Sequence, residues 1–102
     1  MTLEDIRYLV LEQTGQDPRN KSRTRQVIDA RTMYVGLCIE NNLDTNTNIG
    51  KSIGCTHGNI THLSSQFNNK MSNSNEFNFQ MNVKFIREAI EDLKVFIMSV
   101  QK

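Results

Sequence analysis

Residues 46–67 constrain the fold more than any other stretch, because two apolar stripes with helical spacing meet there at a glycine. The stripes consist of Ile49 and Ile53, followed by Ile60, Leu63 and Phe67. Gly54 separates them at the point where the first helix must end and where the backbone most easily adopts a positive φ. Thr56 follows at a position where its side chain can cap the second helix. The stretch therefore predicts a helix-turn-helix.

The face of the second helix opposite its apolar stripe is expected to be exposed, polar and nearly uncharged. Its residues are Gly58, Asn59, Thr61, His62 and Ser65, with His57 at the start of the helix. Amide, hydroxyl and imidazole groups can hydrogen-bond to the edges of bases in a DNA groove. This composition suits recognition of DNA better than it suits catalysis.

The distribution of charge is more informative than its sum. The chain of 102 residues predicts one domain with a small core, and its net charge of +1 says little about partners. Five cations nevertheless fall within thirteen residues: Arg19, Lys21, Arg23, Arg25 and Arg31. Only Asp29 opposes them in that window. Such a cluster favours contact with a phosphate backbone.

The chain has no apolar run long enough to span a bilayer, and its start lacks the basic and apolar regions of a signal peptide. Two cysteines without an export signal predict reduced thiols. We therefore expect a cytoplasmic protein.

Three further helices are predicted around the helix-turn-helix. The first spans residues 2–14 and is capped by Thr2. The second spans residues 26–40, follows a basic loop at 19–25, and is apolar over so much of its circumference that burial on several sides is expected. The last begins near residue 79. The fold class expected is all-α: a small helical bundle containing the helix-turn-helix, preceded by the basic loop and closed by a long C-terminal helix.

The domain organisation expected is a core at residues 1–67, a polar linker at 68–78 and the closing helix in 79–102. That helix carries a heptad-like seam, in which apolar residues alternate at spacings of four and three. The seam consists of Phe79, Val83, Ile86, Ile90, Leu93, Ile97 and Val100. It either packs on its own domain or forms a homodimer with a second copy, and the sequence leaves both open.

Two motifs resemble the DNA-binding C-terminal domain of the bacterial replication initiator DnaA, a Trp-repressor-like helix-turn-helix. The first is IGKSIGCTHGNITHLSSQF, which is similar to the family's I-G, apolar residue, glycine-rich turn and Asp-His-(Ser/Thr)-Thr-Val pattern. The matching residues are Ile49, Gly50, Ile53, Gly54, His57 and Ile60. The second is VIDARTMYVGLCIE, in which Ala30 and Arg31 align with the family's Ala-Arg after a basic loop.

The resemblance implies a role for each cation near the central helix. Arg23 takes the position of the family's arginine that enters the minor groove, and Lys21 and Arg25 lie beside it as phosphate contacts. Arg31 matches an arginine that contacts the DNA backbone.

The resemblance also implies that the second helix of the motif lies in the major groove. His57 matches the family's histidine, whereas Thr56 stands where the family has an acid and Asn59 replaces a threonine. Asn59 can still recognise adenine through two hydrogen bonds, and Thr61 can offer its methyl group to thymine. His62 points outward, towards a phosphate or towards solvent.

The expected function is therefore binding of double-stranded DNA in the control of replication or transcription. The chain is expected to be a free-standing domain of a bacterium, or of a phage or mobile element acting in a bacterial host. The alternative is a non-enzymatic interaction or structural module that keeps the fold and binds a partner protein through the C-terminal helix.

No catalytic, metal, cofactor or nucleotide site is expected. Cys38, Cys55, His57 and His62 match no standard zinc-ligand spacing, and no group is placed to orient a nucleophile or base. The run from Gly50 to Ser52 ends like a P-loop, but Asn46 stands where the first glycine belongs.

Overall fold

A computed structural model describes residues 1–100, which form five helices and, within that range, no strand. The helices are α1 (Leu3–Thr14), α2 (Arg25–Glu40), α3 (Asn46–Ile53), α4 (His57–Ser72) and α5 (Phe77–Val100). The expected all-α class is confirmed. Residues 101 and 102, assigned above to the closing segment, lie outside the described residues. None of the helices within 1–100 combines the length and apolar character needed to cross a membrane.

Helix α1 begins at a capping box. The Thr2 hydroxyl accepts a hydrogen bond from the Asp5 backbone N–H at 3.3 Å, and the Asp5 carboxylate accepts one from the Thr2 N–H at 2.8 Å. Ile6 and Val10 are fully buried against the core. The apolar stripe of α1 therefore packs inward.

Helix α2 lies at the centre of the bundle. Every residue from Thr32 to Cys38 is buried, which agrees with the apolar character of the helix over most of its circumference. It packs closely on α4 at Gly36, where an added Cβ would lie 2.2 Å from the Phe67 ring. Ile28, at the start of α2, departs from this pattern because it is 42% exposed.

Helix α4 extends further than the sequence predicts. Residues 68–72, expected in the polar linker, form its last turn, and the connection to α5 covers only residues 73–76. Met71 packs against the core, and Lys70 forms ion pairs with Asp29 at 3.4 Å and with Glu76 at 3.1 Å. These contacts give a polar segment tertiary partners that its composition does not reveal.

Helix α5 packs against α1, α2 and α4 and buries its apolar seam only as far as Ile90. Its buried residues are Phe79, Val83, Ile86 and Ile90. Within the described residues, the seam beyond Ile90 is partly exposed at Leu93 and Ile97 and exposed at Val100. The seam therefore packs on the bundle from Phe79 to Ile90 and then continues past it.

Candidate nucleic-acid interface

The turn between α3 and α4 is fixed by hydrogen bonds from both helices. Thr45 caps the start of α3, accepting a hydrogen bond from Asn48 N–H at 3.2 Å, and Thr56 caps α4, accepting one from Asn59 N–H at 3.3 Å. Across the turn itself, the Cys55 N–H donates to the Gly50 carbonyl at 2.7 Å. Gly54 ends α3 with φ of 71°, the left-handed conformation predicted for it. These contacts hold the first turn of α4 in one orientation relative to α3, as a helix-turn-helix requires.

The outward face of α4 is open to solvent where the sequence predicts it. The exposed residues are His57, Gly58, Asn59, Thr61, His62 and Ser65, whereas Ile60 is fully buried. Two hydroxyls are already engaged, because Thr56 caps the helix and Thr61 donates to the His57 carbonyl at 3.3 Å. Within residues 1–100, no hydrogen bond uses the side chains of His57, Asn59 or His62. These three keep their full capacity for a ligand.

Asn59 and His62 line one side of a cleft between α2 and α4. The cleft has a volume of ≈ 480 Å³, and Arg31 and Ile28 lie on its opposite side. Gln66 continues the α4 side one turn further on. His57 and Thr61 do not line the cleft. The predicted recognition residues therefore divide between the cleft and the opposite flank of α4.

The basic loop lies against the α3–α4 turn. The Lys21 ammonium donates to the Gly54 carbonyl at 3.3 Å, although 33 residues separate them in the chain. Arg31 contacts the Cys55 sulfur and donates to the Asn20 carbonyl at 3.4 Å. Two of the predicted phosphate-binding cations thus lie at the start of α4.

The remaining cations differ in their partners. Arg25 lies 3.6 Å from the Glu76 carboxylate and 4.0 Å from that of Asp29, and Arg19 forms an ion pair with Asp17 at 3.1 Å. Arg23 is exposed and forms no ion pair with any residue in the described part of the chain. Of the loop cations, Arg23 is therefore better placed than Arg25 to neutralise a phosphate.

Lys51 is a further cation that the sequence analysis did not assign to DNA. It lies in the last turn of α3 and is exposed, and its carbonyl accepts a hydrogen bond from Gly54 N–H at 3.3 Å. The sequence feature that could have identified Lys51 is its position one helical turn before Gly54, next to the predicted turn. In the sequence, Lys51 stands out only as part of a run that resembles the end of a P-loop. The residues of that run, Gly50 to Ser52, lie inside α3 and not in a loop.

The cysteines and histidines do not gather into one cluster in the described residues. Cys38 is fully buried in the core, and burial raises the pKa of its thiol to about 12. Cys55 lies partly exposed beside Arg31. Among residues 1–100 no group of three or more His, Cys, Asp or Glu side chains is arranged to hold a metal ion.

No protein-family model matches the chain, and no curated protein matches it.

Proposed function

We propose that this protein binds double-stranded DNA, with α4 in the major groove and the basic loop on the phosphates and in the minor groove. The proposal rests on the resemblance to the DnaA C-terminal domain, and it assigns the protein to the control of replication or transcription. Arg23 is the minor-groove residue in this proposal, and Asn59 is the principal base-reading residue. The single observation that supports it most is the contact of Lys21 with Gly54.

That contact matters because it unites two features that are separate in the sequence. Lys21 belongs to the basic loop and Gly54 to the turn of the helix-turn-helix, and their contact at 3.3 Å brings the loop to the start of α4. A helix N-terminus carries a partial positive charge, which adds to the attraction that nearby cations exert on a phosphate. The charges and the exposed polar face of α4 can therefore meet the same duplex.

The basic residues are not expected to contribute equally to the attraction of phosphates. Lys21, Arg23, Arg31 and Lys51 have no carboxylate within ion-pair distance among the described residues. Arg25 lies within 4.0 Å of both Asp29 and Glu76, so part of its attraction for a phosphate is offset. We therefore assign Arg25, which the resemblance makes a phosphate contact, a smaller share of the affinity.

The test is selection of bound sequences from a pool of random duplex DNA. The protein, Arg23→Ala and Lys84→Ala are compared in parallel at one salt concentration. Lys84→Ala removes the same charge from an exposed position on α5, and so controls for net charge. We expect an enriched motif with the protein and with Lys84→Ala, and strongly reduced enrichment with Arg23→Ala.

Two results together would overturn the proposal: no motif is enriched, and the protein binds duplex DNA no more tightly than it binds a polyanion such as heparin. Equal loss of enrichment in both variants would show that net charge alone attracts DNA. That result would overturn the specific role of Arg23.

A protein-interaction function is the second candidate, and one observation favours it. The C-terminal end of α5 exposes Val95, Phe96, Met98 and Val100, each 64–68% accessible. Exposed apolar patches commonly mark sites of protein contact. This surface lies on a different helix from the proposed DNA-binding face, so the two functions are compatible.

A further inference from the structure

The C-terminal end of α5 is apolar on more than one side. At about 100° per residue, Val95, Phe96 and Met98 point in different directions around the helix axis. Residues 95–100 contain no charged side chain. A single helix packed against this end would cover one side and leave the others in water. Covering it requires a groove between two helices.

Such a groove lies on the same molecule, between α1 and α5. Its volume is ≈ 600 Å³, and Tyr8, Leu9, Ala89 and Leu93 provide its apolar surface. Phe85, 45% exposed, lies one helical turn before Ala89 on α5. The groove is therefore an apolar channel formed by two helices, and within residues 1–100 no segment fills it.

We propose that two copies of this chain form an antiparallel dimer in which the end of α5 of each copy occupies the α1–α5 groove of the other. The arrangement is two-fold symmetric, so each contact occurs twice. With Leu93 of both copies at the axis, Phe96 and Ile97 of one copy lie level with Ile90 and Ala89 of the other. The large Phe96 ring then packs beside the small Ala89.

Charge favours this occupant over an acidic partner. The residues at the groove's edge are Glu4, Asp5 and Asp92, and no cation lines it. Residues 93–100 carry one charge, the cation Lys94. Residues 93–100 thus bring a cation and no carboxylate to the groove, and with Leu93 at the axis Lys94 of one copy lies level with Asp92 of the other, near the point where the two Asp92 carboxylates approach each other.

The area available is sufficient for a dimer of modest stability. The exposed apolar side chains of the α5 end and the groove are Tyr8, Phe85, Val95, Phe96, Met98 and Val100, which are 45–68% accessible. At on the order of 100 Å² each, they supply about 600 Å² per copy. The total of about 1,200 Å² is at the lower limit for specific interfaces, where weak and transient complexes are found. The inference does not depend on DNA binding.

The first test is sedimentation equilibrium of the protein, Phe96→Asp and Phe77→Asp at about 1–100 µM. Phe77 is a matched control, because it is 65% exposed on the same helix but at its opposite end, away from the groove. We expect a concentration-dependent dimer for the protein and for Phe77→Asp. Phe96→Asp is expected to raise the dimer dissociation constant at least tenfold, with unchanged helical circular dichroism. A protein that stays monomeric throughout overturns the proposal and leaves the groove to a partner of another sequence.

The second test distinguishes insertion into the groove from pairing of the two ends. In a Cys55→Ser background, Ala89→Cys and Phe96→Cys proteins are mixed and oxidised. We expect a disulfide-linked product in the mixture and little in either protein alone, since only the mixed pair brings the two sulfurs together. Efficient cross-linking of Phe96→Cys protein by itself would overturn the proposed geometry.

Discussion

The ammonium group of Lys21 lies 3.3 Å from the carbonyl oxygen of Gly54, and this contact joins the basic loop to the helix-turn-helix. Gly54 is the residue whose positive φ ends α3. The same carbonyl therefore belongs to the turn that orients α4 and to the bond that holds the loop beside it. In the proposed complex, the cations approach the phosphates that flank the groove occupied by α4.

Arg23 and Arg25 of the basic loop should contribute unequally to DNA affinity. Arg23→Ala is expected to weaken binding more than Arg25→Ala, because Arg25 already lies near Asp29 and Glu76. Both changes remove one positive charge from the same segment, so each controls for the other. Fluorescence anisotropy with a labelled duplex at fixed salt provides the measurement. A larger loss for Arg25→Ala would contradict the assignment of the minor-groove position.

The salt dependence of binding should report the number of phosphates contacted. If Lys21, Arg23, Arg31 and Lys51 each neutralise one phosphate, log affinity should fall with log salt concentration with a slope of about −3.6, at about −0.9 per contact. Lys51→Ala is expected to reduce the magnitude of the slope by roughly 0.9. Titrations at several salt concentrations with Lys84→Ala as control test this, and an unchanged slope for Lys51→Ala would remove Lys51 from the interface.

Asn59 should determine preference for a base as well as affinity. Its side chain is exposed and has no hydrogen-bond partner within residues 1–100, so Asn59→Ala is expected to cost about 1–3 kcal/mol on the preferred site and to relax specificity there. Asn69→Ala is the matched control, since Asn69 is also exposed on α4 but lies further from its start. Competition with single-base variants of the selected site gives the readout. Unchanged preference in Asn59→Ala would show that α4 is oriented differently in the groove.

The stability of the bundle should depend on the absence of a side chain at residue 36. A Cβ there would lie 2.2 Å from the Phe67 ring, so Gly36→Ala is expected to destabilise the fold by about 1–3 kcal/mol. Gly58→Ala is the control, because no atom lies within 4 Å of the added carbon and alanine favours the helix by up to about 1 kcal/mol. Urea denaturation measures both. Equal stabilities would show that α2 and α4 separate at little cost.

The features that the sequence predicts best are those set by neighbouring residues. The caps at Thr2 and Thr56 and the end of α3 at Gly54 depend on residues within a few positions of the backbone groups they satisfy. The exposure of the α4 face follows in the same way from the periodicity of Ile60 and Phe67. Local chemistry is sufficient for each of these.

The features that the sequence misses depend on partners distant in the chain. The last turn of α4 was expected to be linker, because its asparagines favour turns and because the contacts of Lys70 with Asp29 are not visible in a linear pattern. The contact of Arg25 with Glu76 is of the same kind. Ion pairs and side-chain proximity across helices arise only when the helices pack.

The sequence by itself determined the helical elements, their caps and the polar face of α4, because hydrogen bonds within a helix and apolar periodicity act over a few residues. Only the tertiary structure decided which cations lie beside the α3–α4 turn and where α5 leaves the bundle. The packing of α1, α2 and α4 determines how many residues of α5 can be buried against the core. Beyond Ile90 that core ends, and the same heptad pattern that buries the first half of α5 leaves the second half exposed.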